Sequence, residues 1–305
     1  MAILRHVATN ITHRLDSECL VGRGPQCSLQ LGHRGASSQH ASIRWNGQEW
    51  RLHDLNSKNG TFVDGERIST AVRPRLQVGQ RLAFGAEDDI FEVVDASPPQ
   101  VRARCEEDGR ERLGEDGLLV LPGAERPEVT IHATQDSWLA EWNDGRQEPI
   151  ESGGSLAIDG VHWRILLPTV SPVTLARENM QWSLQRLTLR FQVSADEETV
   201  SLELAQAGQT IELGAKAHNY LLVTLARNRI ADQRAGQLSE TECGWMDTPG
   251  LIHSLRMTEN QFNVSVWRAR KDLAGAGIPG ATGLIERRTR ARQIRIGVER
   301  LQVEQ

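Results

Sequence analysis

The sequence predicts a multidomain protein with an all-β sandwich at the N-terminus, a small β module in the middle and an α/β domain at the C-terminus. Three observations predict it. Short alternating runs separated by turn residues fill the first 95 residues. The paired prolines of ASPPQ (Ala96 to Gln100) interrupt them as a linker. Past about residue 180, strand-like alternation gives way to helical periodicity and then to an arginine-rich alternating segment.

In the first segment HASIRW, EWRLHDL, GTFVDG, RLAFG and IFEVV read as strands of a sandwich. Residues 101–168 stay β-like in LLVLP, VTIHA, SWLAEW, SLAIDG and HWRILLP, and the run from Trp138 to Leu167 faintly repeats the second half of the first module. Trp138, Trp142 and Trp163 suit core or inter-domain packing, because large aromatic rings bury more area than a surface needs. Residues 169–179 read as a loop.

In the last segment LTLRFQV, TVSLEL and TIEL alternate as strands. AKAHNYLLVTLAR follows with His218, Leu221, Leu222 and Leu225 on one helical face. A second helix opens at DTPG, capped by Asp247 or Thr248, with Leu251, Ile252 and Leu255 inward. A third opens at Thr258 with Gln261 three residues on, a capping box, and stops at Gly275 and Gly277. Its inward side is Phe262, Val266, Ala269 and Leu273. LIERRTRARQIRIGV closes the chain as a hairpin, with Ile294, Ile296 and Val298 on one face and Gln293 and Arg295 on the other.

Charge is unevenly spread. The chain of 305 residues carries a net charge of −5. From Arg256 to Gln305 there are 10 basic and 5 acidic residues, leaving 25 against 35 in the remainder. A basic end on an acidic body points to an electropositive functional surface that the body is able to mask in the free protein. Cys19, Cys27, Cys105 and Cys243 are scattered without a CxxC pair, which argues against zinc and a disulfide framework. No apolar run approaches the length of a membrane span and the first residues lack a leader-like apolar stretch, so a cytoplasmic setting without membrane partners is expected. There is no P-loop, GxSxG or HExxH, the histidines at 132, 162, 218 and 253 are isolated, and Asp88, Asp89, Glu106 and Glu107 read as surface charges. No catalysis, metal or cofactor is expected.

Three ordered fragments, VGRG (Val21 to Gly24), SSQH (Ser37 to His40) and DLNSKNGTFVDG (Asp54 to Gly65), resemble the forkhead-associated (FHA) domain pattern of G-R, S-x-x-H and N-G-T. The resemblance covers residues 1–95 and implies a sandwich that binds phosphothreonine on a partner protein. It implies that Arg23 and Ser37 contact the phosphate, that Ser38 and Lys58 assist, and that Asn59 bonds the peptide backbone. His40 would brace the loops and Gly60 would permit the turn before Thr61. A phosphate of roughly −1.5 to −2 charges suits a guanidinium fork and a hydroxyl donor. Ser38 stands where many members carry Arg or Lys, and Lys58 where many carry Ser or Thr, so peptide preference does not carry over. The middle module, read as a half-sized and degenerate FHA-like unit, has none of the phosphate-binding residues.

NQFNVSVWRARKDL followed by GLIERRTRARQIRIG resembles the winged helix-turn-helix effector domain of OmpR-type regulators over Leu187 to Val303, within a domain taken as 182–303. The resemblance implies double-stranded DNA as a partner and the third helix as the recognition helix. Asn260, Asn263, Trp267, Arg268, Arg270 and Lys271 would then face the major groove, where Arg pairs with guanine and Asn with adenine. Arg287, Arg288, Arg290, Arg292 and Arg295 would arm the hairpin for backbone or minor groove. The hairpin runs one residue longer than the family pattern and lacks its Gly-x-Gly-Tyr turn, and Trp267 is bulkier than usual there. The sequence thus reads as a bacterial transcriptional regulator that docks a Thr-phosphorylated protein. Two alternatives stay open: an adaptor whose winged helix binds protein, and binding of the chain's own phosphothreonine, which would give autoinhibition or a homo-oligomer.

Overall fold

The structure is a computed structural model that describes residues 1–134, 137–168 and 182–304; the loop expected at 169–179 lies outside the described residues. The chain divides into two compact units. One holds residues 1–100, and the other joins 101–167 to the C-terminal residues.

Two sheets build the first unit. Strands β1 (Ile3–His6), β2 (Thr12–Arg14), β7 (Thr61–Val63), β8 (Glu66–Arg67), β9 (Arg81–Phe84) and β10 (Ile90–Asp95) form a sheet in the order β2-β1-β10-β9-β7-β8. Strands β3 (Glu18–Gly22), β4 (Leu29–Gln30), β5 (Ala41–Trp45) and β6 (Trp50–Asp54) form the other, in the order β4-β3-β5-β6. Alternation decides which side chains go in. Leu4, Val21, Ile43, Trp50, Leu52, Leu82, Phe84 and Val93 are buried in one core between the sheets. The β3–β4, β4–β5 and β6–β7 loops all leave the sandwich at one end.

In the second unit, the middle module is a complete pair of sheets rather than half a domain. Strands β11 (Arg102–Cys105), β12 (Glu111–Leu113), β17 (Ser155–Ile158) and β18 (Val161–Leu166) form one, in the order β12-β11-β18-β17. Strands β13 (Leu118–Gly123), β14 (Arg126–Ala133), β15 (Trp138–Trp142) and β16 (Gln147–Ile150) form the other as a meander. Trp163 is fully buried in this module and Trp138 nearly so, while Trp142 stays half-exposed under the Arg146 guanidinium, 4.5 Å from its ring centre.

The C-terminal domain has β19 (Thr188–Val193), β20 (Val200–Gln206), β21 (Gln209–Ala215) and β25 (Arg300–Glu304) in one sheet, with β25 parallel to β19. That last strand has no counterpart in the sequence reading. Helix α1 (Asn219–Ala235) runs two turns beyond the predicted stretch to a left-handed C-cap at Gly236. Its Arg229 is buried and donates to the Ile296 carbonyl at 2.6 Å. In α2 (Thr248–Ser254) Asp247 is the N-cap and accepts from the Gly250 amide at 2.7 Å. Helix α3 (Glu259–Gly275) has the Thr258–Gln261 capping box, and Phe262, Val266, Ala269 and Leu273 are all buried. Strands β22 (Met246–Asp247), β23 (Ile285–Arg288) and β24 (Gln293–Ile296) complete a small sheet carrying the hairpin.

Candidate functional site

The loop end of the first sandwich is held together through backbone groups. Arg23 N–H donates to the Ser37 carbonyl and Gly24 N–H to the Ser38 carbonyl, both at 2.9 Å. This pairing needs Gly22: a Cβ there would meet the Ser38 carbonyl oxygen at 2.5 Å and that of Ser37 at 2.9 Å. The Arg23 side chain is thereby placed, exposed, beside the Ser37–Ser38 turn.

His40 sits beneath this loop with no exposed surface. Its Nδ1 accepts from the Ser37 amide at 3.0 Å, and its Nε2 faces the Gly60 carbonyl at 3.0 Å. An amide can only donate and a carbonyl can only accept. The imidazole is therefore neutral, with its proton on Nε2. Burial lowers the pKa of His40, outweighing the Gly60 bond and the charge of Asp54. One ring thus couples the β4–β5 loop to the β6–β7 loop.

The β6–β7 loop has a second brace that sequence reasoning missed. Buried Asp54 accepts from Ser57 N at 2.9 Å, Ser57 Oγ at 2.6 Å and Thr61 Oγ1 at 2.5 Å. Ser57 Oγ in turn accepts from Gly60 N at 3.0 Å. Although desolvation opposes ionisation, the Ser57 and Thr61 hydrogen bonds hold the Asp54 pKa below its usual value. The signal was present as Asp-x-x-Ser, a spacing at which a carboxylate satisfies nearby backbone donors. Gly60 has φ of +88°, as the turn before Thr61 requires.

All five predicted phosphopeptide residues come together on these loops. The Ser37 hydroxyl oxygen accepts from Lys58 N at 3.1 Å, which leaves the hydroxyl proton available to a ligand. Asn59 Nδ2 donates to the Gly35 carbonyl at 2.8 Å. Ser38, Lys58 and Asn59 are exposed and Ser37 is partly so. The site therefore offers a guanidinium, an ammonium and hydroxyl donors on a rigid rim, a set suited to a phosphate monoester. Asp89, read as a surface charge, instead bridges His6 at 2.7 Å and His33 at 3.3 Å, tying strand β1 to the β4–β5 loop.

The second predicted site is dispersed differently. Within the second unit, one stripe of α3 lies on the middle module. Asn260 Nδ2 donates to the Glu125 carbonyl at 2.9 Å. Asn263 Oδ1 accepts from Arg287 at 3.3 Å, and the Arg287 guanidinium also reaches the Asn143 carbonyl. Trp267 and Lys271 border a cavity of about 580 Å³ whose far wall is Leu113, Leu118, Val120 and Pro122. Lys271 pairs with Glu115.

Arg270, expected on the outward face, is buried. It meets Glu141 at 2.7 Å, with both side chains 5% exposed, and donates to the Ile285 carbonyl at 2.7 Å. Although desolvation of Glu141 opposes ionisation, Arg270 and His132 pull its pKa down to about 2. Nothing near Arg270 in the sequence announces this burial, because Glu141, which meets it, lies 129 positions away.

Arg268, Arg290 and Arg292 are exposed. Arg288 and Arg295 stack on Trp245, at 4.1 and 4.5 Å from its ring centre, and pair with Glu242 and Glu286 respectively. His218 is not isolated: its Nε2 meets Asp272 at 2.7 Å and joins α1 to α3. Among the described residues no cluster of His, Cys, Asp and Glu could hold a metal, and no helix is long and apolar enough to cross a membrane.

Residues 19–85 match the FHA domain family. The FHA domain-containing protein FhaB of Mycobacterium tuberculosis is 43% identical over 66 residues, or 22% of this chain and 41% of FhaB. FhaA of the same organism is 47% identical over 49 residues, or 16% of this chain and 9% of FhaA. Among solved structures, Mycobacterium tuberculosis EmbR in complex with a low affinity phosphopeptide is 26% identical with a TM-score of 0.29, covering 32% of this chain and 25% of EmbR. This chain spans less than half the length of each of these relatives.

Proposed function

We propose that the N-terminal domain, which matches the FHA family over residues 19–85, docks a Thr-phosphorylated protein and that the C-terminal domain is a winged helix that binds promoter DNA, making the chain a cytoplasmic transcriptional regulator rather than an enzyme. The observation that carries the first half is the convergence of Arg23, Ser37, Ser38, Lys58 and Asn59 on loops braced by one buried imidazole. The second half is supported by the order of strands, three helices and hairpin, and by the exposed Arg268, Arg290 and Arg292 in a segment of net +5.

Binding of full-length protein to genomic fragments, with and without a phosphothreonine peptide, tests both halves. Sequence-preferring DNA binding that weakens steeply with salt is expected, and peptide binding is expected only when threonine is phosphorylated. Absence of either removes that half of the reading.

A second reading is favoured by the α3 stripe, which already engages protein. In it the chain is a phosphothreonine-dependent adaptor and the C-terminal domain binds a protein. Charge reversal at Arg268 and Arg290 separates the two. Loss of partner capture with no change in DNA binding selects the adaptor.

A further inference from the structure

The residues of α3 that face the middle module, Asn263 only through Arg287, are Asn260, Asn263, Trp267, Arg270 and Lys271. They recur at i, i+3, i+7, i+10 and i+11, one continuous stripe adjoining the buried core stripe. A helix that enters a major groove uses such a stripe, polar and basic, along its length. DNA and the middle module therefore compete for the same atoms.

We infer that the middle module is an intramolecular lock on the C-terminal domain, with Glu141 standing where an anionic DNA group would otherwise meet Arg270. The inference rests on the DNA-binding reading above. Three features make the module a lock rather than a neighbour. First, its contacts are matched in charge: Glu141 faces Arg270, Glu115 faces Lys271, and the Glu125 and Asn143 carbonyls take the Asn260 and Arg287 donors. Second, the match extends onto the hairpin, where a Cβ at Gly145 would meet the Arg287 side chain at 2.8 Å, so helix and wing are covered together. Third, several groups at the seam lack full partners. Among the described residues Arg270 Nε and Arg287 Nε are buried without hydrogen bonds, as is His132 Nε2, which stands 3.7 Å from Glu141. A seam with unspent donors is one that a better-matched polyanion can displace.

The arginines left in solvent, Arg268, Arg290 and Arg292, permit a first electrostatic contact with DNA while the reading stripe stays closed. Apparent DNA affinity is then the affinity of the open form reduced by the fraction that is open.

The test uses the full chain as wild type, Glu141→Gln and Glu115→Lys. Each is titrated with a pool of random-sequence duplex DNA, and hydroxyl-radical footprinting follows Trp267 on α3 and Leu118 and Val120 on the module. Glu141→Gln leaves Arg270 without its counter-charge. Glu115→Lys acts at the exposed rim and keeps the test open if the buried variant misfolds, which circular dichroism reports. Both variants should uncover Leu118, Val120 and Trp267 and should bind DNA at least about tenfold more tightly than wild type. Wild type and open-seam variants that bind DNA equally tightly overturn the lock while leaving DNA binding intact. No detectable DNA binding by wild type or by variants whose seam is open in the footprint overturns the DNA-binding reading, and the lock with it.

Discussion

His40 and Gly60 are joined by a 3.0 Å hydrogen bond from ring Nε2 to carbonyl oxygen, and the opposite ring nitrogen takes the Ser37 amide. Replacing His40 by alanine leaves a part-buried donor and a buried acceptor unpaired. Each orphan costs about 1–3 kcal/mol, so chemical denaturation of His40→Ala should show the first unit destabilised by roughly 2–6 kcal/mol. Phosphothreonine-peptide affinity should fall with it, because the phosphate loop and the Asn59 loop lose their common support.

The same ring sets a pH dependence. The folded pKa of His40 lies below its ordinary value of 6.5, so the unfolded chain binds a proton first. The contribution is fully present above pH 6.5 and is lost as pH falls from there through the folded pKa. Thermal melts of the first unit should show stability declining below pH 6.5, and His40→Gln should flatten that slope. An unchanged slope in the variant would assign the decline to another group.

Arg23→Ala and Ser37→Ala separate binding from folding. Arg23 is exposed, so its melting temperature should match wild type. Loss of a charge-assisted hydrogen bond of about 1.5–3 kcal/mol should weaken a phosphothreonine peptide by about 10- to 100-fold. Isothermal titration reads the loss directly, and an unchanged dissociation constant for Arg23→Ala would move the phosphate elsewhere.

Glu141 gives the second unit an acid limit. Its pKa is about 2 in the fold against an ordinary 4.5. The stabilising contribution is present above pH 4.5 and fades as pH drops towards 2. Acid titration followed by near-ultraviolet circular dichroism should show the second unit loosening in that window, and Glu141→Gln should shift the loss to neutral pH.

The sequence carried the first sandwich and its rim because both are local. Alternation sorts core from surface, and the proposed binding residues lie in three turns that the strand order brings to one end. Asp54 escaped notice because its partners are ordinary Ser and Thr. Helix α3 was legible to its caps, since Thr258, Gln261 and the inward stripe are all read within one helix. What covers its polar stripe was not legible. A row of Asn, Arg and Lys looks the same whether water, DNA or a matching protein surface lies opposite. Strand β25 was missed for a similar reason: its five residues are at most half-buried, and its partner β19 lies over a hundred positions upstream.

The seam along Asn260, Arg270 and Lys271 is closed by hydrogen bonds and ion pairs. Opening it returns those polar groups to water, where they are readily solvated. Water thus replaces much of what the seam supplies, which is the property of an association made to be undone. A hydrophobic seam of the same extent would have fixed the two halves for the life of the molecule.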